Sequence, residues 1–218
     1  MLKGAIPMKY DSAVVSDYFK KNNLYDVLED FGCSYMEYED FNRAAKKLKS
    51  KHDSGYTKRV FILKEIPWVI KLNFYEDGYN GDACGDEARN YQKAVEMGID
   101  KILLPTTLFY VDSCGHKYYC QPQFQSKPFH NFEYRVNDVV KDKSYTLANK
   151  FYKSRFRFCH QWLAQAIVYY GYDFMRQVAK WTQICHVNDL HSGNVTMFNG
   201  RPIILDYSGV KQSCCSDC

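Results

Sequence analysis

Near the end of the chain two short β-type runs, Val195-Thr196-Met197-Phe198 and Ile203-Ile204-Leu205, flank Asn199-Gly200. Asn-Gly is the strongest short-range signal for a tight hairpin, because the favoured two-residue turn needs positive φ at both central positions. A hairpin brings its ends together, so the spacing predicts that Asn194, before the first strand, and Asp206, after the second, lie side by side. An amide oxygen and one carboxylate suit Mg²⁺, which takes one or two carboxylates and fills its other positions with water and phosphate oxygens. Asp189, earlier on the same loop, is then in position to act as a general base toward an incoming hydroxyl.

The rest of the chain is that of a globular protein. Of its 218 residues, 46% are apolar and 25% charged, enough to bury a core in one two-layered domain or two small lobes. No run approaches the roughly 18 apolar residues of a membrane helix; the longest candidate, Trp162 to Tyr170, is broken by Gln165. The N-terminus, Met1 to Pro7, lacks the apolar stretch and cleavage site of a secretory signal, which predicts a cytoplasmic protein without a membrane partner. In that compartment the nine cysteines are expected as reduced thiols. The single C-x-x-C, Cys215 to Cys218, lacks the second pair that a four-thiolate zinc site needs. A net charge of +4 with acids and bases interleaved argues against a nucleic-acid partner.

Residues 9 to 50 read as a helical extension, with Asp11 or Ser12 and then Asp40 as caps. From Arg59 the pattern changes to two β-rich runs, Val60-Phe61-Ile62-Leu63 and Trp68-Val69-Ile70-Lys71-Leu72, around a turn containing Pro67. A helix is expected from Asp86 to Met97, closed by Gly98, and a second hairpin from Leu103 to Val111 and His116 to Phe124. After a polar stretch, residues 126 to 150, two helices are predicted, Phe151 to Tyr170 and Tyr172 to Ile184, separated by Gly171. The domain division is 1–50 as an extension, 51–125 as a sheet-rich lobe and 126–218 as a helical lobe.

Asp189-Leu190-His191-Ser192-Gly193-Asn194 followed by Asp206-Tyr207-Ser208-Gly209 resembles the catalytic loop and metal-binding element of the protein-kinase-like superfamily. The His-Ser-Gly-Asn form is similar to aminoglycoside- and choline-type phosphotransferases and to the minimal serine/threonine kinases of bacteria and tailed phages. The resemblance implies an α+β, two-lobed kinase-like fold with a truncated helical C-lobe, and ATP and Mg²⁺ as cofactors. It makes Lys71 the residue that holds the ATP phosphates and Glu87 the one that orients Lys71. Glu96 competes for that role on the same helix, but it sits at the C-terminal end, where the helix dipole disfavours an acid. The resemblance also assigns Gly55 to the phosphate-covering loop and the stretch containing Gln121, Gln123 and Phe124 to the hinge that meets adenine. Asp189 is the catalytic base, and Asn194 and Asp206 are the metal ligands.

The chain departs from the family in three places. Gly55 is the only glycine of the expected Gly-rich loop, Val187 and Asn188 replace the usual His-Arg before the catalytic Asp, and nine residues follow Gly209. The function these features imply is phosphoryl transfer to a hydroxyl on a protein substrate. The alternatives are a small-molecule phosphotransferase and a pseudokinase that binds a partner. An apolar face left by missing C-lobe helices would favour a homodimer. His160 and His186 read as structural, and His191 as lining the site, since Mg²⁺ prefers oxygen. The aromatic-basic run Tyr152 to Phe158 reads as the buried face of a helix, with a surface for RNA or an acidic partner as the alternative.

Overall fold

A computed structural model describes residues 10–34, 37–54, 57–74, 81–123, 137–152, 160–187, 190–191, 193–198 and 201–208. These residues form a mixed α+β structure of seven α-helices, a five-stranded antiparallel sheet and a separate two-stranded hairpin. Two compact units result, Met1–Ala88 with Pro105–Phe124 and Arg89–Leu104 with Gln125–Cys218. None of the described helices is long and apolar enough to cross a membrane.

The first unit opens with helices α1 (Ala13–Lys21), α2 (Tyr25–Gly32) and α3 (Tyr38–Lys47). Its strands are β1 (Ser50–Ser54), β2 (Lys58–Leu63), β3 (Trp68–Asn73), β4 (Thr107–Val111) and β5 (Lys117–Pro122), in the order β1-β2-β3-β5-β4. Both expected hairpins are present, with Phe61 opposite Ile70 in one and Leu108 opposite Tyr119 in the other. Alternation along the strands gives the sheet two chemically distinct faces. Phe61, Leu63, Ile70, Leu72, Tyr118 and Cys120 point one way, into a core completed by Val15, Phe19, Leu28, Phe31, Phe41 and Leu48 of the helices. Phe31, Phe41 and Phe61 meet there with ring centroids 4.7–5.9 Å apart. The other face carries Lys58, Lys71, Asn73, Tyr119 and Gln121, as the pairing of Val60 with Lys71 and of Lys71 with Tyr119 requires.

Helix α4 (Ala83–Glu96) follows β3, and the boundary between the units falls within it. The second unit contains α5 (Asp138–Tyr152), α6 (His160–Tyr170), α7 (Tyr172–Ile184) and the hairpin of β6 (Val195–Phe198) with β7 (Arg201–Ile204). Its core gathers Trp162, Leu163, Ala166, Met175, Val178 and Trp181 with Leu190, Val195, Met197, Ile204 and Tyr207.

Several boundaries differ from the sequence expectation, each for a physical reason. Helix α4 starts at Ala83 instead of Asp86, because the Asp82 carboxylate caps it by accepting the Gly85 N–H at 2.8 Å. The polar stretch 126–150 contains most of α5. Asn137 caps that helix through the Val140 N–H at 2.9 Å, and Val140, Ser144, Leu147 and Ala148 repeat at helical spacing on its inner side. Of the helix expected over 151–170, residues 151–152 end α5 and 160–170 form α6, while residues 153–159, with most of the aromatic-basic run, lie outside the described residues. Asp40 lies in the first turn of α3, whose N-cap is Glu37. Residues 50–54, expected as helix end and loop, form an edge strand with Ser50 opposite Leu63. The second hairpin begins at Thr107, because Leu103 instead forms a parallel bridge to Ile204 in the second unit.

Candidate functional site

In the first unit the acid-base chemistry is concentrated on the polar face of the sheet. The Lys71 Nζ lies 3.2 Å from each carboxylate oxygen of Glu87, and both side chains are buried. Such a charge-assisted, two-oxygen contact fixes the ammonium in place, and an unpartnered charge at that depth would be strongly disfavoured. Glu87 reaches the sheet because α4 starts at Ala83, which puts it in the second turn of the helix. The structure thus brings Lys71 and Glu87 of the sequence reading into direct contact.

Lys58 joins the same carboxylate, its Nζ 3.6 Å from Glu87 Oε1 and its side chain only 6% exposed. Sequence reading missed this residue, having placed it within the expected Gly-rich segment. Its signal was parity: Lys58 and Val60 share a face of β2, and Val60 pairs with Lys71. Beside these charges, Asn73 fastens β3 to the start of α4. Its amide donates to Asp82 Oδ1 at 2.8 Å, and its oxygen accepts the Cys84 N–H at 2.9 Å. A Cβ at position 85 would stand 2.0 Å from the Asp82 carboxylate, so a larger residue there would displace this cap.

Of the expected hinge residues, Gln121 is buried and its amide donates to Thr106 Oγ1 at 3.0 Å. The Gln123 backbone N–H donates to the Pro67 carbonyl at 2.8 Å. Both bonds hold the end of β5. Gly55, Phe124 and the expected base Asp189 lie outside the described residues.

In the second unit, β6 and β7 pair Val195 with Ile204 through Phe198 with Arg201, so residues 199 and 200 alone connect them. The Leu205 N–H donates to the Asn194 carbonyl at 2.8 Å, which continues the ladder by one pair. Asp206 is therefore one residue beyond the direct partner of Asn194. Both are half-buried, and the Asp206 carboxylate accepts bonds from the Ser208 N–H at 3.4 Å and hydroxyl at 3.2 Å. The donor set of one amide and one carboxylate fits a hard divalent cation better than a soft one. Among the described residues no three His, Cys, Asp or Glu side chains converge as a metal cluster.

The segment after Asp206 is anchored within its own unit by a short series of hydrogen bonds. The Asn90 amide donates to the Tyr207 carbonyl at 2.8 Å, and the Trp181 indole donates to the Asn90 carbonyl at 2.9 Å. The Tyr207 hydroxyl, fully buried, donates to the Leu104 carbonyl. Sequence reasoning did not find these contacts of Asn90 and Tyr207. His191 is exposed and accepts the Gly193 N–H at Nδ1, 3.0 Å away, which puts the proton of a neutral ring on Nε2. The loop here tolerates only glycine at 193 without movement, because a Cβ would lie 2.8 Å from the imidazole.

No protein-family model, curated protein or solved structure matches this chain.

Proposed function

We propose that the chain is an ATP- and Mg²⁺-dependent phosphotransferase with a kinase-like fold, passing the γ-phosphoryl group to a hydroxyl, with a protein serine or threonine as acceptor. The observation that carries this reading is the buried Lys71–Glu87 pair, in which a strand lysine is held by both oxygens of a carboxylate from the next helix. Further support comes from the register that sets Asn194 beside Leu205 and from the bonds that anchor the segment after Asp206.

In this reading Lys71 contacts the phosphates and Glu87 keeps it in place, with Lys58 adding a second cation near the same carboxylate. Asp189 accepts the proton of the attacking hydroxyl. Asn194 and Asp206 would hold Mg²⁺, which supplies charge neutralisation on the phosphate oxygens.

The test is transfer of labelled phosphate from ATP with Mg²⁺, using casein and myelin basic protein as acceptors. Wild type should label itself or an acceptor, and Lys71→Met, Asp189→Asn and Asp206→Asn should each lower transfer by about 10²-fold or more. Transfer that all three variants retain would remove these residues from the mechanism. If wild type transfers nothing yet ATP with Mg²⁺ raises its melting temperature, small alcohols become the acceptors to try. If neither occurs, the fold serves partner binding.

A further inference from the structure

The C-terminus of α2 and the turn joining β4 to β5 are fastened together by a set of contacts, and each of the two segments carries an exposed thiol. Glu29 of α2 accepts bonds from the Ser113 N–H at 3.0 Å and hydroxyl at 2.7 Å, and from the Tyr110 hydroxyl. The Tyr118 hydroxyl lies 2.9 Å from the Leu28 carbonyl and 3.1 Å from the Asp112 carboxylate. Gly32 allows this close approach, because a Cβ there would fall 1.7 Å from the Asp112 carboxylate. Asp112 in turn fixes the turn, accepting the His116 N–H at 2.8 Å while its carbonyl accepts the Gly115 N–H at 3.0 Å.

Cys33 follows Gly32 directly, and Cys114 sits in the fixed turn. The Cys33 Sγ is 3.8 Å from Ser113 Oγ, across 80 residues of sequence. Both thiols are exposed, whereas Cys84 and Cys120 are buried. A hydrogen bond with Cys33 is the main reason that the Cys114 thiol lies above its ordinary pKa, with burial second. Cys33 thus lies against the residue that precedes Cys114, and both thiols remain accessible to a reagent.

We propose that Cys33 and Cys114 are a reversible disulfide site, closed by exchange with a low-molecular-weight disulfide. One protein thiolate attacks a sulfur of the reagent, breaking its S–S bond, forming a mixed disulfide and releasing one small thiol. The second protein thiolate displaces the other half, so the protein loses two electrons and two protons and the reagent leaves as two thiols. The new bond ties α2 to the β4–β5 hairpin, within the first unit, and is independent of the phosphotransferase reading.

Trypsin separates the two cysteines cleanly, since residues 22–43 contain only Cys33 and residues 102–117 only Cys114. The full chain is treated with oxidised glutathione at neutral pH, free thiols are blocked by alkylation, and the digest is mapped without reduction. The expected result is a dominant 22–43/102–117 linked peptide, lost with dithiothreitol and absent in Cys33→Ser. The oxidised protein should also melt roughly 5 °C or more above the reduced one. The proposal is overturned if either cysteine accumulates as a glutathione adduct, pairs mainly with Cys214, Cys215 or Cys218, or stays open to alkylation. It is equally overturned if concentrated urea leaves the pairing preference unchanged, because the fold would then not be what selects it.

Discussion

Glu87 faces the ammonium groups of Lys71 and Lys58 in a region where all three side chains are buried. Removing its charge leaves cations in a low-dielectric setting with one acceptor weakened, the most damaging single change on that face. Glu87→Gln should lower stability by about 3 kcal/mol in urea titration. Adding Lys71→Met to Glu87→Gln should recover part of the loss, since one of the stranded charges is gone. A loss below about 1 kcal/mol would mean that the pair is not a structural element. At the surface, Glu29 has its carboxyl held below the ordinary value of 4.5, chiefly by the Tyr110 hydroxyl and then by Ser113. With a folded pKa below the unfolded one, its contribution is complete above the ordinary carboxylate range and is lost as pH falls through the depressed value. Glu29→Gln should therefore flatten the acid side of the stability profile while leaving the shape near neutrality unchanged. An acid limb identical to wild type would refute that assignment.

Four helices end on a residue with positive φ, and two of the four, Lys49 and His186, are types that sequence rules do not favour there. Asn23, Lys49, Gly98 and His186 all have φ between 48° and 68°. After three of them a backbone N–H reaches back six residues inclusive, Leu24 to Phe19, Ile99 to Ala94 and Val187 to Thr182, each at 2.9 Å. Gly98 was legible as a cap because glycine adopts this conformation without steric penalty. Lys49 and His186 were not, since their conformation is imposed by the path of the next residues: after His186 the chain must bury Val187, which is 1% exposed. His186→Gly should raise stability by up to about 1 kcal/mol by relieving that strain, measured as a higher urea midpoint at unchanged slope. A lower midpoint would show that the imidazole has a contact worth more than the strain. The same contrast explains the missed α5, whose inner residues are diluted by lysines and aspartates that face outward. The strand pairs β2–β3 and β4–β5 were readable because alternating apolar residues and short turns are local signals.

Each unit has its own hydrophobic core, and each core has one ring whose loss should be felt throughout it. Phe61, completely buried against Phe31 and Phe41, is that ring in the first unit. Trp162 takes the role in the second, fully buried with its indole N–H donating to the Thr196 carbonyl at 2.9 Å. Phe61→Ala and Trp162→Ala should each cost about 3–5 kcal/mol, with faster amide exchange in β3 and β5 for the first and in α6 and β6 for the second. Exchange unchanged in those strands and helices would deny the two rings this part. The sequence by itself determined the elements whose causes lie close along the chain: the two hairpins of the sheet, the hairpin of β6 with β7, and Gly98 as a stop signal. Only the tertiary structure decided that Lys58 joins Glu87, that α1 to α3 cover the apolar face of the sheet, that Leu103 bridges Ile204, and that Asn90 grips Tyr207 from 117 residues away. The physical reason is that a buried polar group must find a partner and an apolar face must find a cover, and neither requirement says where along the chain the answer lies.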